Sequence, residues 1–446
     1  MHSAAMSDPG TAFECRVPQR RCPPGSAPLA LGIALLLAAC STATVTPPFP
    51  TSKPDEVGLS SERLTGIDAF IERMQREHKV AGAVTLVARR GKLVSLKAHG
   101  LADLETQRAV RVDDLFQLQS MTKPVATVAA LQLMERGLLR LSDPVERFLP
   151  EFANLQVAVA REGAPGGFDR IPAARPMTIA DLMTHRAGFV GLPPRDTPAA
   201  RLQREALGRL PADGNFTLEQ FVSRLATVPL DAQPGAGFRY GPATTVLGRV
   251  IEVVTGQSLD VALQVQIFGP LGMNDTSFRV PQDKRARVVP AYALKPGEGL
   301  VRLPLDDLAP RFLSAGGNLF GTATDYLRFC QMLLHGGELE GVRILSRQSV
   351  DLMRSPQVDS IPLPFLPGQS FGLGVAVRKA DDPTAWLGSP GSYGWSGGYN
   401  TYFRIDPVEQ VIFALFVQLA FSPVQLELQH GFHDAAVQAY LPATTR

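Results

Sequence analysis

Between residues 60 and 79, apolar side chains return at Leu64, Ile67, Phe70, Ile71 and Met74. That spacing puts them on one helical stripe, and Ser60 or Ser61 stands where an N-cap belongs, so the pattern predicts an amphipathic helix. The following run, GAVTLVARRGKLVSLKAHG, has a different period. Two β-rich segments flank Arg90-Gly91, which is a hairpin signal. From about 111 to 355 helical segments alternate with loops, and glycines stop them. MTKPVATVAALQLMERG ends at Gly137, TIADLMTHRAG at Gly188, TTVLGRVIEVVTG at Gly256 and ATDYLRFCQMLLHGG at Gly336-Gly337. Strand-like segments return in FGLGVAVRKA, GYNTYFRIDP and QVIFALFVQLA, and LQHGFHDAAVQAYL predicts a closing helix. The stretches 161–176, 189–215 and 356–370 read as surface loops that shape a pocket.

This order predicts an α+β fold. One antiparallel sheet is built from both chain ends and flanked by the terminal helices. The middle, roughly 111–355, forms a mostly helical lobe, and the cleft between lobe and sheet is the natural site. No repeat of fixed period is present.

The N-terminal segment departs from this plan. Arg20 and Arg21 precede the apolar run APLALGIALLLAAC, which has the length of a secretory signal and is short for a membrane span. It ends in Leu37-Ala38-Ala39-Cys40, similar to the lipobox of bacterial lipoproteins, in which the cysteine is lipidated and becomes the mature first residue. An ordinary signal cleaved near Ala39 is the alternative. Residues 1–39 are therefore expected to be a signal region, with translation able to start later than Met1, for example at Val17. Residues 40–57, rich in Ser, Thr and Pro, are expected to be a lipidated tether, and residues 58–446 the folded body. Ser41 resembles outer-membrane sorting, so the expected location is the bacterial cell envelope. Among the four cysteines only Cys330 belongs to the body, and its apolar setting marks a buried small hydrophobe. The 446 residues carry formal net charge +2, with 45% hydrophobic and 19% charged residues. Those values suit a globular protein with a full core and give no hint of a nucleic-acid partner. No zinc-type cysteine spacing or Walker loop points to a metal or nucleotide.

Two serines compete as nucleophiles. Gly394-Trp395-Ser396-Gly397-Gly398 spells G-x-S-x-G, and Asp406, His430 and His433 follow it in α/β-hydrolase order. However, the segment after it is strand-like, where that motif requires a helix. His430 and His433 read as surface residues. The other candidate is Ser120-Met121-Thr122-Lys123, the one Ser-x-x-Lys in the chain, at the head of the strongest helix. Three residues is nearly one turn, so the two side chains share a face. A desolvated amine is a usable base, and a helix N-terminus favours a developing oxyanion. Pro124 is tolerated in the first turn. These residues alone leave open a plain N-capping serine beside a solvated lysine.

SMTKPVATVAALQLMERGLLRLSDPVERFLPEF resembles the first motif of the serine β-lactamase and penicillin-binding-protein superfamily. The class C β-lactamase-like branch, with the family VIII carboxylesterases, is the nearest flavour. MTIADLMTHRAGF, PGAGFRYGPATTVLGRVIEVVTG, PLGMNDTSF, GNLFGTATDYLRFCQMLLHGGELEGVRIL and YGWSGGYNTYFRIDP match in order, so the resemblance spans about 60–420. It implies that Ser120 is the acylated nucleophile, Lys123 its base and Tyr240 a proton shuttle. It places the third motif, Lys-Thr-Gly in lactamases, on Trp395-Ser396-Gly397, lining the cleft on an edge strand. The backbone N–H groups of Ser120 and Gly398 then form the oxyanion hole. No cofactor is implied. Two departures bear on substrate. Trp395 replaces the lysine that would meet a β-lactam carboxylate and offers an aromatic wall to an acyl group. Pro242 replaces an asparagine and has neither side-chain amide nor N–H.

The expected activity is a carboxylesterase on small or medium acyl esters, with a small-molecule ester as substrate and a lipid anchor at Cys40. β-Lactamase, D-amino-acid peptidase or acyltransferase activity on the same machinery is the alternative. A catalytically idle wall-binding lipoprotein and an α/β-hydrolase using Ser396 fit the sequence less well. His185 reads as a hydrogen-bonded loop brace near the cleft, and Asp143 and Asp325 as capping or bracing residues.

Overall fold

The computed structural model describes residues 49–441 apart from 164–166, 193–194, 212–213, 359–365, 381, 383–384 and 421. The expected signal region and Cys40 lie outside the described residues. Residues 49–57, read above as the end of the tether, pack on the body. Phe49 is buried, Thr51 bridges to Leu93, and Ser52 N–H donates to the Leu93 carbonyl at 3.1 Å.

Eight strands form one antiparallel sheet among the described residues. The N-terminal part supplies β1 (Gly82–Arg89), β2 (Lys92–Asp103) and β3 (Arg108–Ala109). The C-terminal part supplies β4 (Gln369–Phe371), β5 (Ala376–Arg378), β6 (Tyr393–Ser396), β7 (Tyr402–Asp406) and β8 (Val411–Phe416). The order is β4-β5-β6-β7-β8-β1-β2-β3. β8 pairs with β1 from Val84↔Phe416 to Arg89↔Val411, which joins the two chain ends.

Helices cover both faces. Helix α1 (Ser61–Arg76) is capped by the Ser60 side chain and buries the predicted Leu64, Ile67, Phe70, Ile71 and Met74. It lies along the closing helix (Gln425–Gln438), and Gly431 allows the approach, because a Cβ there would meet the Phe70 ring at 2.2 Å. Successive strand residues point to opposite faces. Tyr402 hydrogen-bonds His433 of the closing helix at 2.8 Å, whereas the neighbouring Phe403 packs on Tyr326 of the helix Ala323–Leu334 at 5.1 Å. With both faces covered, β1, β7 and β8 are buried along their whole lengths and lack the alternation of a half-exposed sheet.

Several local expectations change. FGLGVAVRKA is not one strand: its first residue, Phe371, ends β4, Gly374 with φ +73° turns the chain, and Ala376–Arg378 form β5. The stretch 161–176 includes Phe168–Pro172, which pairs with Gln156–Ala160. The stretch 189–215 includes a helix, Pro198–Leu207, capped by Thr197. β6 is not an edge strand of the sheet, since β4 and β5 lie outside it. However, β5 pairs only with Tyr393 and Gly394, so Trp395 and Ser396 have a sheet partner on the β7 side alone.

Candidate active site

The chain enters the site along Phe116–Gln117, which pairs with Phe320–Gly321. At Gln119 the backbone takes φ +49°, a conformation unusual for a side-chain-bearing residue. A single 3-10 turn, Gln119–Met121, then leads into helix α2 (Thr122–Glu135). Two hydroxyls fix this junction. Thr122 donates to the Gln119 carbonyl at 2.7 Å, and the Tyr326 phenol donates to the Met121 carbonyl at 2.9 Å. Helix α2 is apolar on nearly every face and runs through the interior, so it holds its N-terminal end rigidly.

Ser120 is half-buried at this end, and Lys123 is only 4% exposed. The Lys123 Nζ lies 2.9 Å from Ser120 Oγ and donates to the Gly316 carbonyl at 2.6 Å. The same amine stands 4.6 Å from the Tyr240 ring centroid. Tyr240 comes from the helical lobe, where paired hydrogen bonds with Leu192 hold its backbone. These chains approach so closely that a Cβ on Gly191 would lie 2.4 Å from the Tyr240 carbonyl oxygen. Pro242 caps helix α3 (Ala243–Thr255) immediately afterwards.

β6 forms the opposite wall. Trp395 Nε1 donates to Tyr240 Oη at 3.1 Å, and its ring packs on Tyr240 and Phe371 at 5.2 and 5.1 Å. Being 4% exposed, it leaves little ring face for an acyl group. An indole N–H can only donate, so the Tyr240 oxygen is the acceptor and its own proton is left to point elsewhere. After Ser396 the chain turns. A Cβ on Gly397 would lie 2.5 Å from the Leu118 carbonyl oxygen, and the Thr401 hydroxyl donates to that same carbonyl at 2.9 Å. The turn bearing Gly398 is thus fastened to the segment that leads into Ser120.

The structure therefore brings Ser120, Lys123, Tyr240 and Trp395 together and sets the Gly397-Gly398 turn against them. It does not assemble a triad at Ser396. Asp406 is buried at the far end of β7, accepting N–H groups from Ser389, Val408 and Glu409 at about 3 Å. His433, expected at the surface, is buried between Tyr402 and the Leu387 carbonyl, and burial is the main cause lowering its pKa to about 3. His430 is half-buried against Trp386 at 4.0 Å. A turn and strand β7 follow Ser396, where a nucleophile elbow would need a helix.

His185 also differs from expectation. Its ring nitrogens have no hydrogen-bond partner among the described residues, and the ring packs on Tyr240, Phe238 and Phe371 at 4.7, 5.7 and 5.5 Å. Burial first, then the Lys123 charge, lowers its pKa well below the usual imidazole range. It serves as a neutral packing ring behind Tyr240. Asp143 braces a loop by accepting from Arg140 N–H and Arg147. Asp325 does likewise with Asp275 N–H and Thr276. Cys330 is fully buried, and burial raises its thiol pKa well above the ordinary value, so it is not a nucleophile. Sequence reading missed Gly316. The Gly-Gly pair in SAGGN was the available signal, since backbone groups without side chains can approach a buried amine closely.

A helical lobe closing on an antiparallel sheet, with a serine and lysine in contact at the head of the central helix, defines a serine hydrolase of the β-lactamase and penicillin-binding-protein superfamily. The chain belongs to the family described as Beta-lactamase, which matches residues 67–437. It is 34% identical over 370 residues to Protein Rv1367c of Mycobacterium tuberculosis strain H37Rv, covering 80% of this chain and 90% of that protein. It is 32% identical over 398 residues to esterase EstB of Burkholderia gladioli, covering 83% of this chain and 94% of EstB. Among solved structures, EstCE1, described as a hydrolase with promiscuous acyltransferase activity, aligns with TM-score 0.70 at 27% identity, covering 84% of this chain and 99% of that one.

Proposed function

We propose that the protein is a carboxylesterase acting on small or medium acyl esters through a Ser120 acyl-enzyme. The observation that carries this reading is the 2.9 Å approach of Lys123 Nζ to Ser120 Oγ at a buried helix end. Lys123 takes the Ser120 hydroxyl proton as Oγ attacks the ester carbonyl carbon. The N–H groups of Ser120 and Gly398 hold the oxyanion. The C–O bond to the alcohol then breaks, and the proton passes from Lys123 through the Tyr240 phenol to the departing oxygen. Water reverses these steps, releasing the acid and restoring Ser120.

Two replacements favour esters over β-lactams. Trp395 puts a buried indole where a lactamase lysine would meet the substrate carboxylate. Pro242 has no side-chain polar group and no N–H with which to hold an amide side chain. The esterase EstB among the relatives supports the same choice. An alcohol could also intercept the acyl-enzyme, and the likeness to EstCE1 favours acyl transfer as a second outcome of the same chemistry. We further propose lipidation at Cys40 and a place in the bacterial cell envelope, from the Leu37-Ala38-Ala39-Cys40 motif.

The test compares p-nitrophenyl esters with nitrocefin on the wild type, Ser120→Ala and Ser396→Ala. Ser120→Ala is expected to lose ester turnover and the acyl adduct seen by mass spectrometry, while Ser396→Ala keeps both. Full activity of Ser120→Ala would sink the mechanism. Nitrocefin turnover rivalling ester turnover would overturn the substrate class.

A further inference from the structure

We propose that Ser314 and Thr245 are positioning residues for Lys123, acting through the Gly316 carbonyl. The inference rests on the reading of Lys123 as the base. An amine that accepts a proton from Ser120 must aim its lone pair at Oγ. The lysine amine is a rotor on a flexible four-carbon stem, so a second fixed partner is needed to set its orientation. That partner is the Gly316 carbonyl, 2.6 Å from Nζ.

Gly316 cannot hold this carbonyl in place by itself, because glycine has the most permissive backbone. Ser314 holds the peptides on both sides of it. The Gly316 N–H donates to Ser314 Oγ at 3.1 Å, and the Gly317 N–H donates to the Ser314 carbonyl at 3.1 Å. The second bond belongs to the same peptide group whose oxygen meets Lys123. Ser314 Oγ is itself fixed by a 3.0 Å hydrogen bond to Thr245 Oγ1, and both side chains are buried. Thr245 is the third residue of helix α3, just after Tyr240-Gly241-Pro242. The hydroxyl pair therefore links the loop that touches Lys123 to the segment that carries Tyr240. The space is specific as well, since a Cβ on Gly316 would lie 2.7 Å from Thr245 Oγ1 and 3.8 Å from Lys123 Nζ. Pro242 offers no side-chain polar group, so the carbonyl path is the one this chain has built.

The test measures burst and steady-state hydrolysis of p-nitrophenyl butyrate by Thr245→Val, Thr245→Ser and Ser314→Ala, with Lys123→Ala alongside. Thr245→Val keeps the shape and removes the hydroxyl. It and Ser314→Ala are each expected to slow acylation and kcat roughly tenfold with KM changed less than about twofold. Thr245→Ser keeps the hydroxyl and is expected to restore the wild-type rate. The Val and Ala variants combined should cost no more than the worse single one, since they break one chain of contacts. The inference is overturned if kcat stays within about twofold in both single variants, or if Thr245→Ser loses as much as Thr245→Val. Should Ser314→Ala fail to fold, the Thr245 pair decides alone. Wild-type activity in Lys123→Ala would instead overturn the reading of Lys123 as the base.

Discussion

Trp395→Phe removes one hydrogen-bond donor from the site and keeps an aromatic ring in place. In the wild type the indole N–H donates to Tyr240 Oη at 3.1 Å, with both rings packed 5.2 Å apart. A hydrogen bond of this kind contributes about 0.5–1.5 kcal/mol net. If all of it is expressed in the transition state, its loss slows the reaction roughly 2- to 12-fold. The effect should depend on the leaving group, because Tyr240 is assigned to protonating the departing alcohol. An alkyl alkoxide leaves only with a proton, whereas p-nitrophenolate departs without one. The kcat/KM for ethyl butyrate, followed in a pH-stat and reporting acylation alone, is therefore expected to fall toward the upper end of that range. The kcat/KM for p-nitrophenyl butyrate should stay within about twofold. Thermal melts separate this from the packing cost of the smaller ring, which is on the order of 1–3 kcal/mol in stability. Equal losses on both substrates, or no loss on ethyl butyrate, would refute the role given to the Trp395–Tyr240 contact.

Asp325 links stability to pH. Burial is the main cause raising its pKa from 3.8 to about 6. The folded carboxyl thus holds its proton to higher pH than the unfolded one. The stability gained is full below the unfolded value and is lost as pH rises through about 6, a swing on the order of 3 kcal/mol. One Asp325 oxygen accepts both Asp275 N–H and the Thr276 hydroxyl, at 2.7 and 2.9 Å, so an amide oxygen can keep both bonds. Asp325→Asn is expected to match the wild-type melting temperature at pH 4 and exceed it at pH 8. Equal melting at both would remove Asp325 as the cause. Cys40→Ala is expected to abolish incorporation of labelled fatty acid and release the protein from membranes. Labelling that survives the substitution would place the anchor elsewhere.

The terminal helix and the central hairpin were legible in the sequence because one apolar stripe and one Arg-Gly turn set them. The joining of chain ends through β8 and β1 followed from ordering alone, since only strands lying at both ends of the chain can close around a helical middle. The outer strands were not legible. Nothing in FGLGVAVRKA marks which glycine turns the chain, because Gly372 and Gly374 look alike in sequence, and only Gly374 sits at φ +73°. His433 was misplaced for a related reason. It lies on a helix whose apolar stripe is weak, and it is buried because Tyr402 and the Leu387 carbonyl, both remote in sequence, meet its two nitrogens.

The site divides the same way. Ser120 and Lys123 were legible because their pairing is local, three residues on one helix. Tyr240 and Trp395 became visible only through family resemblance, because their meeting depends on how lobe and sheet close. The structure then changes what Trp395 means. As a letter in a motif it is a missing cation and an aromatic wall, both of which speak to the choice of substrate. As a buried ring it is a donor to Tyr240 Oη, which speaks to proton delivery. These consequences are separable. Loss of the cation should govern which substrates are accepted, and the indole N–H should govern how fast poor leaving groups depart. One residue can thus influence both selectivity and rate by different routes.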